Sequence, residues 1–168
     1  INGSVKRYIT VNNESILCRN IGGNNQIIYL IYSPIKKLFY QPKTQIFGML
    51  CEDGKLKFRT FYDGKKVFTI KNVKIIDFLI TNSLGFIFVI SDRNFLTFSQ
   101  NGRLLKSTSH DSNTKIKELF SITLIGIDYI GIITENHKFY LFDSLTHKNE
   151  LEGYLPSDDY DNYLCFDK

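Results

Sequence analysis

Short runs of apolar, aromatic and β-branched residues alternate with polar turns through the middle of the chain. Four such runs follow one another between Lys74 and Thr108, and runs of this kind are typical of strands. They cover residues 74–80, 85–91, 95–99 and 103–108. Because the turns between them are short and polar, the pattern predicts a four-stranded antiparallel meander.

The same four-strand pattern occurs on both sides of this stretch. Before it, the runs cover residues 35–40, 45–51, 55–61 and 65–71, and after it they cover 115–124, 128–134, 138–142 and 150–154. Equivalent turns recur after about 38 to 43 positions, close to the roughly 40–45 residues of a propeller repeat. Four strands per repeat is the unit of a β-propeller blade. The sequence therefore predicts successive propeller blades.

The second run of each set is apolar at nearly every position, in residues 46–50, 86–90 and 129–133. Continuous apolar runs of this length indicate strands that are buried on both faces. Each blade should therefore pack against neighbours, with the 74–109 blade between two others. Residues 115–124 fit a helix or a strand by their periodicity, and we favour a strand.

We divide the chain into a partial blade at residues 1–34, blades at 35–73, 74–109 and 110–154, and an acidic tail or further strand at 155–168. The predicted fold class is all-β, a propeller segment of about three to four four-stranded antiparallel blades. Closed propellers usually have about four to eight blades. We therefore expect the remaining blades of a larger propeller to lie outside this sequence, with an open four-bladed assembly as the alternative.

The composition supports strands and argues against some functions. Apolar residues make up 43% of the 168 residues and aromatics 14%, with no alanine and no tryptophan, a bias that favours a pleated sheet. The formal net charge is only +4, and the lysines form no dense stripe. A nucleic-acid surface would normally show such a stripe, so we expect no nucleic-acid partner. We also expect no small-molecule substrate.

The residues that most often carry chemistry are scattered. Cys18, Cys51 and Cys165 have no close spacing, which indicates buried free thiols rather than a disulfide framework or a structural zinc site. The three histidines, His110, His137 and His147, all fall in predicted turns. They share no metal-ligand spacing, so we interpret them as exposed loop side chains. We expect no metal and no cofactor.

Charged residues follow the second strand of each predicted blade and would meet on one face of a propeller. A glycosidase needs two carboxyl groups about 5–9.5 Å apart in a pocket, and nothing in the sequence indicates a pocket. A mixed-charge rim that binds proteins is the preferred interpretation, and the chain is not expected to be an enzyme. The candidate partner-binding residues are Glu52, Asp53, Asp92, Arg93, Glu135 and His137. The alternatives are a propeller-type hydrolase and purely structural blades that pack on an upstream domain.

Three stretches of the chain resemble a known repeat family. Residues 80–87 (ITNSLGFI) resemble a recurring ISxSxGFI strand–turn–strand, and residues 96–104 (LTFSQNGRL) resemble its partner LFTxNGxxI. Residues 127–130 (IDYI), followed by 138–143 (KFYLFD), are similar to the FDYI…LYxFE stretch of the next repeat. Together, over roughly residues 75–143, they resemble the WD-repeat-like propeller at the C-terminus of BEACH-domain proteins, especially divergent protist members.

This resemblance implies a function that the residues alone do not carry. It implies a large cytoplasmic scaffold in vesicle trafficking, in control of lysosome-related organelle size or in autophagy, with the BEACH domain upstream. The expected partners are proteins, and peripheral membrane association would come through the parent protein. The usual Gly-His and Trp-Asp signatures of WD repeats are missing, since the chain has no tryptophan.

Overall fold

The computed structural model describes residues 7–11, 15–20, 26–30, 33–61, 64–110 and 115–155, with side chains described from residue 33 onward. Within these ranges all the regular structure is β-strand. The described residues contain no helix of the length and apolar character needed to cross a bilayer.

The strands form four antiparallel sheets in chain order. The first sheet contains β1 (Arg7–Val11), β2 (Ser15–Asn20) and β3 (Gln26–Leu30), and the second contains β4 (Ile35–Gln41), β5 (Ile46–Cys51), β6 (Leu56–Thr60) and β7 (Lys66–Ile70). The third contains β8 (Ile75–Ile80), β9 (Ile87–Ser91), β10 (Asn94–Phe98) and β11 (Leu104–Ser109). The fourth contains β12 (Ile116–Leu124), β13 (Ile127–Thr134), β14 (Lys138–Asp143) and β15 (Asn149–Tyr154). The predicted all-β fold class, with four-stranded antiparallel sheets, is confirmed.

The three four-stranded sheets repeat one another down to their irregularities. Where the first strand of each sheet pairs with the second, a bulge makes the register pass over one residue. These residues are Lys36, Ile76 and Lys117, at equivalent places in the three sheets. In the pairing of the third strand with the fourth, the register passes over Val67, Leu105 and Glu150. A bulge bends its strand and increases the local twist. The sheets are therefore copies of one backbone plan, although their side chains share little identity.

The core lies between the sheets, and the second strands divide their side chains between two neighbours. On β9, Ile87 and Val89 belong to the core shared with the second sheet. Phe88 and Ile90 pack with Ile130 of the fourth sheet, and all four β9 side chains have no exposed surface. The third sheet therefore lies between two others, as predicted. The expectation that the second strands are buried on both faces is also confirmed.

Aromatic rings fill the space between the second and third sheets. The Phe58 ring stacks on Phe68 at 4.5 Å and meets the edge of Phe78 at 5.9 Å between centroids. Both Phe58 and Phe78 pack over Gly48, where a Cβ atom would lie 2.5 Å from the Phe78 ring and 2.7 Å from the Phe58 ring. Only glycine leaves room for this packing.

The first strands of the second, third and fourth sheets converge, and the last strands of the third and fourth sheets face solvent. β8 contacts both β4 and β12, whereas nearly every residue of β11 and β15 is exposed. The third and fourth sheets therefore have an inner first strand and an outer fourth strand, which is the order of strands in a propeller blade.

In an antiparallel meander the turns lie alternately at the two opposite ends of the strands. We name these two ends edges below. We call one the turn edge: it contains the first–second and third–fourth strand turns, with described residues 42–45, 61, 64–65, 81–86, 99–103, 125–126 and 144–148. We call the other the linker edge: it contains the second–third turns at 52–55, 92–93 and 135–137, together with the ends of the connections between sheets. Hydrogen bonds join neighbouring turns of the turn edge, such as Phe61 N–H to Gln45 O at 2.7 Å.

Several local expectations can be checked against these strands. Residues 115–124 were ambiguous, and the structure has the strand that we favoured. Asn94 was expected in a turn but is the first residue of β10. Cys51 is a buried free thiol, as predicted, and burial raises its pKa. The side chain of Cys18, and Cys165 together with residues 156–168 of the tail, lie outside the described part of the protein.

Candidate functional site

The linker edge contains the candidate residues, and one repeated hydrogen bond places them. The backbone N–H that follows each second strand donates to the carbonyl just before the first strand of the same sheet. Glu52 N donates to Pro34 O at 2.8 Å, Asp92 N to Lys74 O at 3.1 Å and Glu135 N to Lys115 O at 3.0 Å. Glu52, Asp92 and Glu135 therefore occupy equivalent positions on three successive sheets, at a single edge.

The linker edge carries charges of both signs, with carboxylates in the majority. Glu52, Asp53, Arg93 and Glu135 are exposed, while Asp92 and His137 are half-buried. The Asp53 carboxylate pairs with Lys55 Nζ at 2.7 Å. This hydrogen bond from Lys55 lowers the Asp53 pKa and raises the Lys55 pKa. The result is a polar, mixed-charge surface.

The described carboxylates of the linker edge lack the environment of a catalytic pair. Asp53 pairs with Lys55, and Glu135 lies 3.4 Å from Lys115 Nζ with both side chains largely exposed. A catalytic acid of a glycosidase needs a raised pKa in a closed environment, but the pKa of Asp53 is lowered. In the described ranges, His, Cys, Asp and Glu side chains form no group of three or more that could hold a metal ion.

His137 differs from the other candidate residues in its backbone conformation and in the hydrogen bonding of its ring. It closes the β13–β14 turn with its N–H donating to Thr134 O at 3.0 Å, and its φ of 61° lies in the left-handed region. Its Nδ1 atom is buried and has no hydrogen-bond partner among the described residues.

His147 corrects the expectation that the histidines are exposed loop side chains. It is only 7% exposed, and its ring meets the Phe88 ring edge-on at 5.6 Å. Its Nε2 lies 2.7 Å from Thr97 Oγ1 and its Nδ1 lies 3.0 Å from Thr108 Oγ1. Both threonines belong to the third sheet, so His147 joins the fourth sheet to the third.

The proton positions around His147 follow from its partners. Thr97 donates its hydroxyl proton to Ser144 O at 2.8 Å, so Nε2 must donate to Thr97 Oγ1 and Nδ1 must accept from Thr108. Burial, with a smaller contribution from Lys106, lowers the His147 pKa to about 4. The neutral ring therefore matches its site. His110 is also less exposed than expected: it is half-buried and stacks on Phe95 at 4.4 Å.

Asp128 makes the second link between the third and fourth sheets at the turn edge. It is 1% exposed, and its carboxylate accepts hydrogen bonds from Ser83 N at 3.0 Å, Leu84 N at 2.8 Å and Thr123 Oγ1 at 2.6 Å. Burial alone raises its pKa, but the bonds from Thr123 and the backbone outweigh burial and keep the pKa below its usual value.

Gln41 makes the matching link from the other side. Its Nε2 donates to Thr81 O of the third sheet at 2.9 Å, in a buried contact. The β8–β9 turn is thus held by the second sheet through Gln41 and by the fourth through Asp128. Sequence reasoning missed these residues, although each is a polar residue at the end of an apolar strand.

The fold matches solved β-propellers. The chain superposes with a TM-score of 0.71 on BBS1N, solved in complex with ARL6DN, at 10% identity over 93% of this chain and 52% of that one. It superposes at 0.65 on the Cps50 (Swd1) β-propeller domain of Myceliophteria thermophila, at 13% identity over 91% of this chain and 57% of that one. The described sheets have the fold of propeller blades. The WD40 domain of SCAP from fission yeast gives a TM-score of 0.63 at 10% identity, over 75% of this chain and 33% of that one.

These similarities define the fold alone, because all of them are at low identity. The chain spans about half the length of the first solved chains that it matches. No protein-family model matches the sequence, and no curated protein matches it.

Proposed function

We propose that this chain is a non-catalytic protein-interaction segment of a larger propeller, with the linker edge as its binding surface. The observation that carries the proposal is the repeated placement of Glu52, Asp92 and Glu135 on three successive sheets by the same backbone bond. A common edge with charges of both signs suits a protein partner, because complementary charges steer association and select against wrong partners.

The neighbouring structures support a binding role for the fold. BBS1N was solved in complex with ARL6DN, so a propeller-containing chain of this architecture can hold a protein partner. The sequence resemblance to BEACH-domain propellers extends the proposal to a cytoplasmic scaffold in membrane trafficking, associated with membranes through its parent protein.

The hydrolase alternative is not favoured by the geometry of the described residues. Asp53 and Glu135 each pair with a lysine, and the Glu135 side chain is 60% exposed. A hydrolase would require a pair of carboxyl groups with different environments in one pocket.

The test is charge reversal of the linker edge in the full-length parent protein. The variant carries Glu52→Lys, Asp92→Lys and Glu135→Lys, and its matched control carries Glu118→Lys, Glu150→Lys and Glu152→Lys, which change the same charge at exposed strand positions. Proteins captured from cells by the unchanged protein are identified by mass spectrometry. We expect the linker-edge variant to lose partners that the control variant keeps.

Two results would contradict the proposal. Equal capture by both variants would place the binding surface elsewhere. Failure of the unchanged protein to capture any partner would favour purely structural blades. Circular dichroism of both variants checks that a loss of partners does not reflect unfolding.

A further inference from the structure

The turn edge exposes a group of large apolar side chains at the tips of three turns. Leu84 lies in the β8–β9 turn, Ile125 in the β12–β13 turn and Leu145 in the β14–β15 turn. Their exposed fractions are 48%, 102% and 44%. Leu124 and Ile127 flank Ile125 and are 41% and 45% exposed. The hydrogen bonds from Ser83 N and Leu84 N to Asp128 hold the first two turns side by side.

The backbone conformation of the β12–β13 turn does not favour an isoleucine at position 125. Its φ is 51° and that of Gly126 is 79°, so both central residues are in the left-handed region. Two-residue hairpin turns of this kind prefer Asn-Gly, and a β-branched residue at positive φ is an outlier. Residues held in such conformations cluster at functional sites.

Packing within the protein does not explain Ile125 either. Its side chain is fully exposed, and a Cβ atom added at Gly126 would meet nothing within 4 Å. The turn therefore stands clear of the rest of the described structure. Neither backbone preference nor core burial accounts for an isoleucine at this tip.

The exposed charges described at the turn edge are mainly positive. Of the carboxylates described there, Asp128 is 1% exposed, and Asp143 is half-buried and accepts hydrogen bonds from Leu145 N at 2.9 Å and Thr146 N at 2.7 Å. The cations face outward. Lys43, Lys66, Arg103 and Lys148 are all exposed, with Lys148 also paired to Glu150 at 3.0 Å. The linker edge, by contrast, exposes its carboxylates.

We propose that the turn edge docks on an anionic lipid surface, with Ile125 entering the bilayer interface and the neighbouring cations facing the headgroups. Apolar residues that insert beside basic residues are the usual chemistry of interfacial binding, and basic residues near an anionic leaflet add affinity. Each apolar tip belongs to a different turn, and Ile125 is fully exposed, which suits insertion of a single side chain into a lipid surface. The linker edge, on the opposite side, would remain free for protein partners.

The experiment uses the full-length parent protein and vesicle co-sedimentation. The vesicles contain phosphatidylcholine alone or phosphatidylcholine mixed with phosphatidylserine. We expect binding to the mixed vesicles only, weakened by added salt because surface charges are screened. Ile125→Asn should lower the partition coefficient roughly tenfold, since it removes an inserted apolar side chain. The same change should raise the melting temperature, since asparagine tolerates the left-handed conformation.

The opposite signs of these two effects separate lost binding from lost folding. Leu151→Asn is the matched control, because Leu151 is 48% exposed in the middle of β15 and away from the turn edge. Lys43→Glu combined with Arg103→Glu should also weaken binding to the mixed vesicles. The proposal is wrong if the chain ignores anionic vesicles, if it binds neutral vesicles equally well, or if Ile125→Asn binds like the unchanged protein. It is also wrong if Ile125→Asn leaves vesicle binding unchanged and abolishes only the capture of a protein partner.

Discussion

The turn edge and the linker edge are built from the same kind of hairpin, yet they do different work in the fold. At the linker edge, the bonds that place Glu52, Asp92 and Glu135 all stay within their own sheet. At the turn edge, Gln41, Asp128 and His147 each reach into a neighbouring sheet. One edge therefore joins the sheets together, and the other closes each sheet separately and leaves its charges in solvent.

This difference explains why similar side chains behave differently at the two edges. Asp128 and Asp53 both accept hydrogen bonds and both have a lowered pKa. Asp128 is buried against another sheet, whereas Asp53 sits in an exposed pair with Lys55. Buried donors left without a partner cost far more than a broken surface pair. Substitutions of the buried polar residues at the turn edge should therefore affect stability, and substitutions of the linker-edge charges should affect protein binding.

The largest expected effect is that of Asp128→Ala. It leaves the Ser83 and Leu84 N–H groups and the Thr123 hydroxyl without their shared acceptor, so we expect a loss of about 4 kcal/mol in the free energy of unfolding. Chemical denaturation followed by circular dichroism measures it. The linker-edge counterpart, Asp92→Ala, should change stability by less than about 0.5 kcal/mol. Equal effects of the two changes would remove the distinction between the edges.

The second effect is a pH dependence that comes from His147. Its pKa in the folded protein is about 4, against 6.5 for an ordinary histidine. The unfolded chain therefore takes up a proton before the folded one does. Stability should be full above about pH 6.5, fall as the pH drops, and be lower by about 3 kcal/mol once the pH is below about 4.

His147→Asn tests the origin of this pH dependence. Asparagine tolerates the positive φ of 59° at this position but does not titrate. The variant should be less stable at neutral pH and should show a flatter decline between about pH 6.5 and pH 4. Denaturation curves over that range provide the measurement. A decline as steep as that of the unchanged protein would assign the effect to other groups.

The repeat of the sheets could be predicted from the sequence, but the links between them could not. The continuous apolar run of β9 and the turn pairs such as Asn101-Gly102 are local signals, and they placed the strands correctly. The contacts of His147 with Thr97 and Thr108 span 50 and 39 positions. Those of Asp128 with Ser83 and Leu84 span 45 and 44. Nothing local distinguishes these buried polar residues from exposed ones at a strand end.

The candidate binding residues, by contrast, lie in turns whose position the local sequence does predict. The sequence placed Glu52, Asp92 and Glu135 in equivalent turns, and the structure has them at one edge because the local chain closes each turn on its own sheet. The sequence pattern did not single out Ile125, because an isoleucine there is indistinguishable from a strand residue. Only its full exposure and positive φ in the structure set it apart. Binding to a partner by the candidate residues stays a prediction.

The smallest effect should be that of the Lys115–Glu135 pair at the linker edge. The side chains are 77% and 60% exposed and the charged atoms lie 3.4 Å apart, so solvent screens most of their attraction. A double-mutant cycle with Lys115→Ala and Glu135→Ala should give a coupling energy below about 0.5 kcal/mol that disappears in high salt. A larger coupling would mean that this pair organises the linker edge, and the linker-edge charges could then no longer be treated as free to meet a partner.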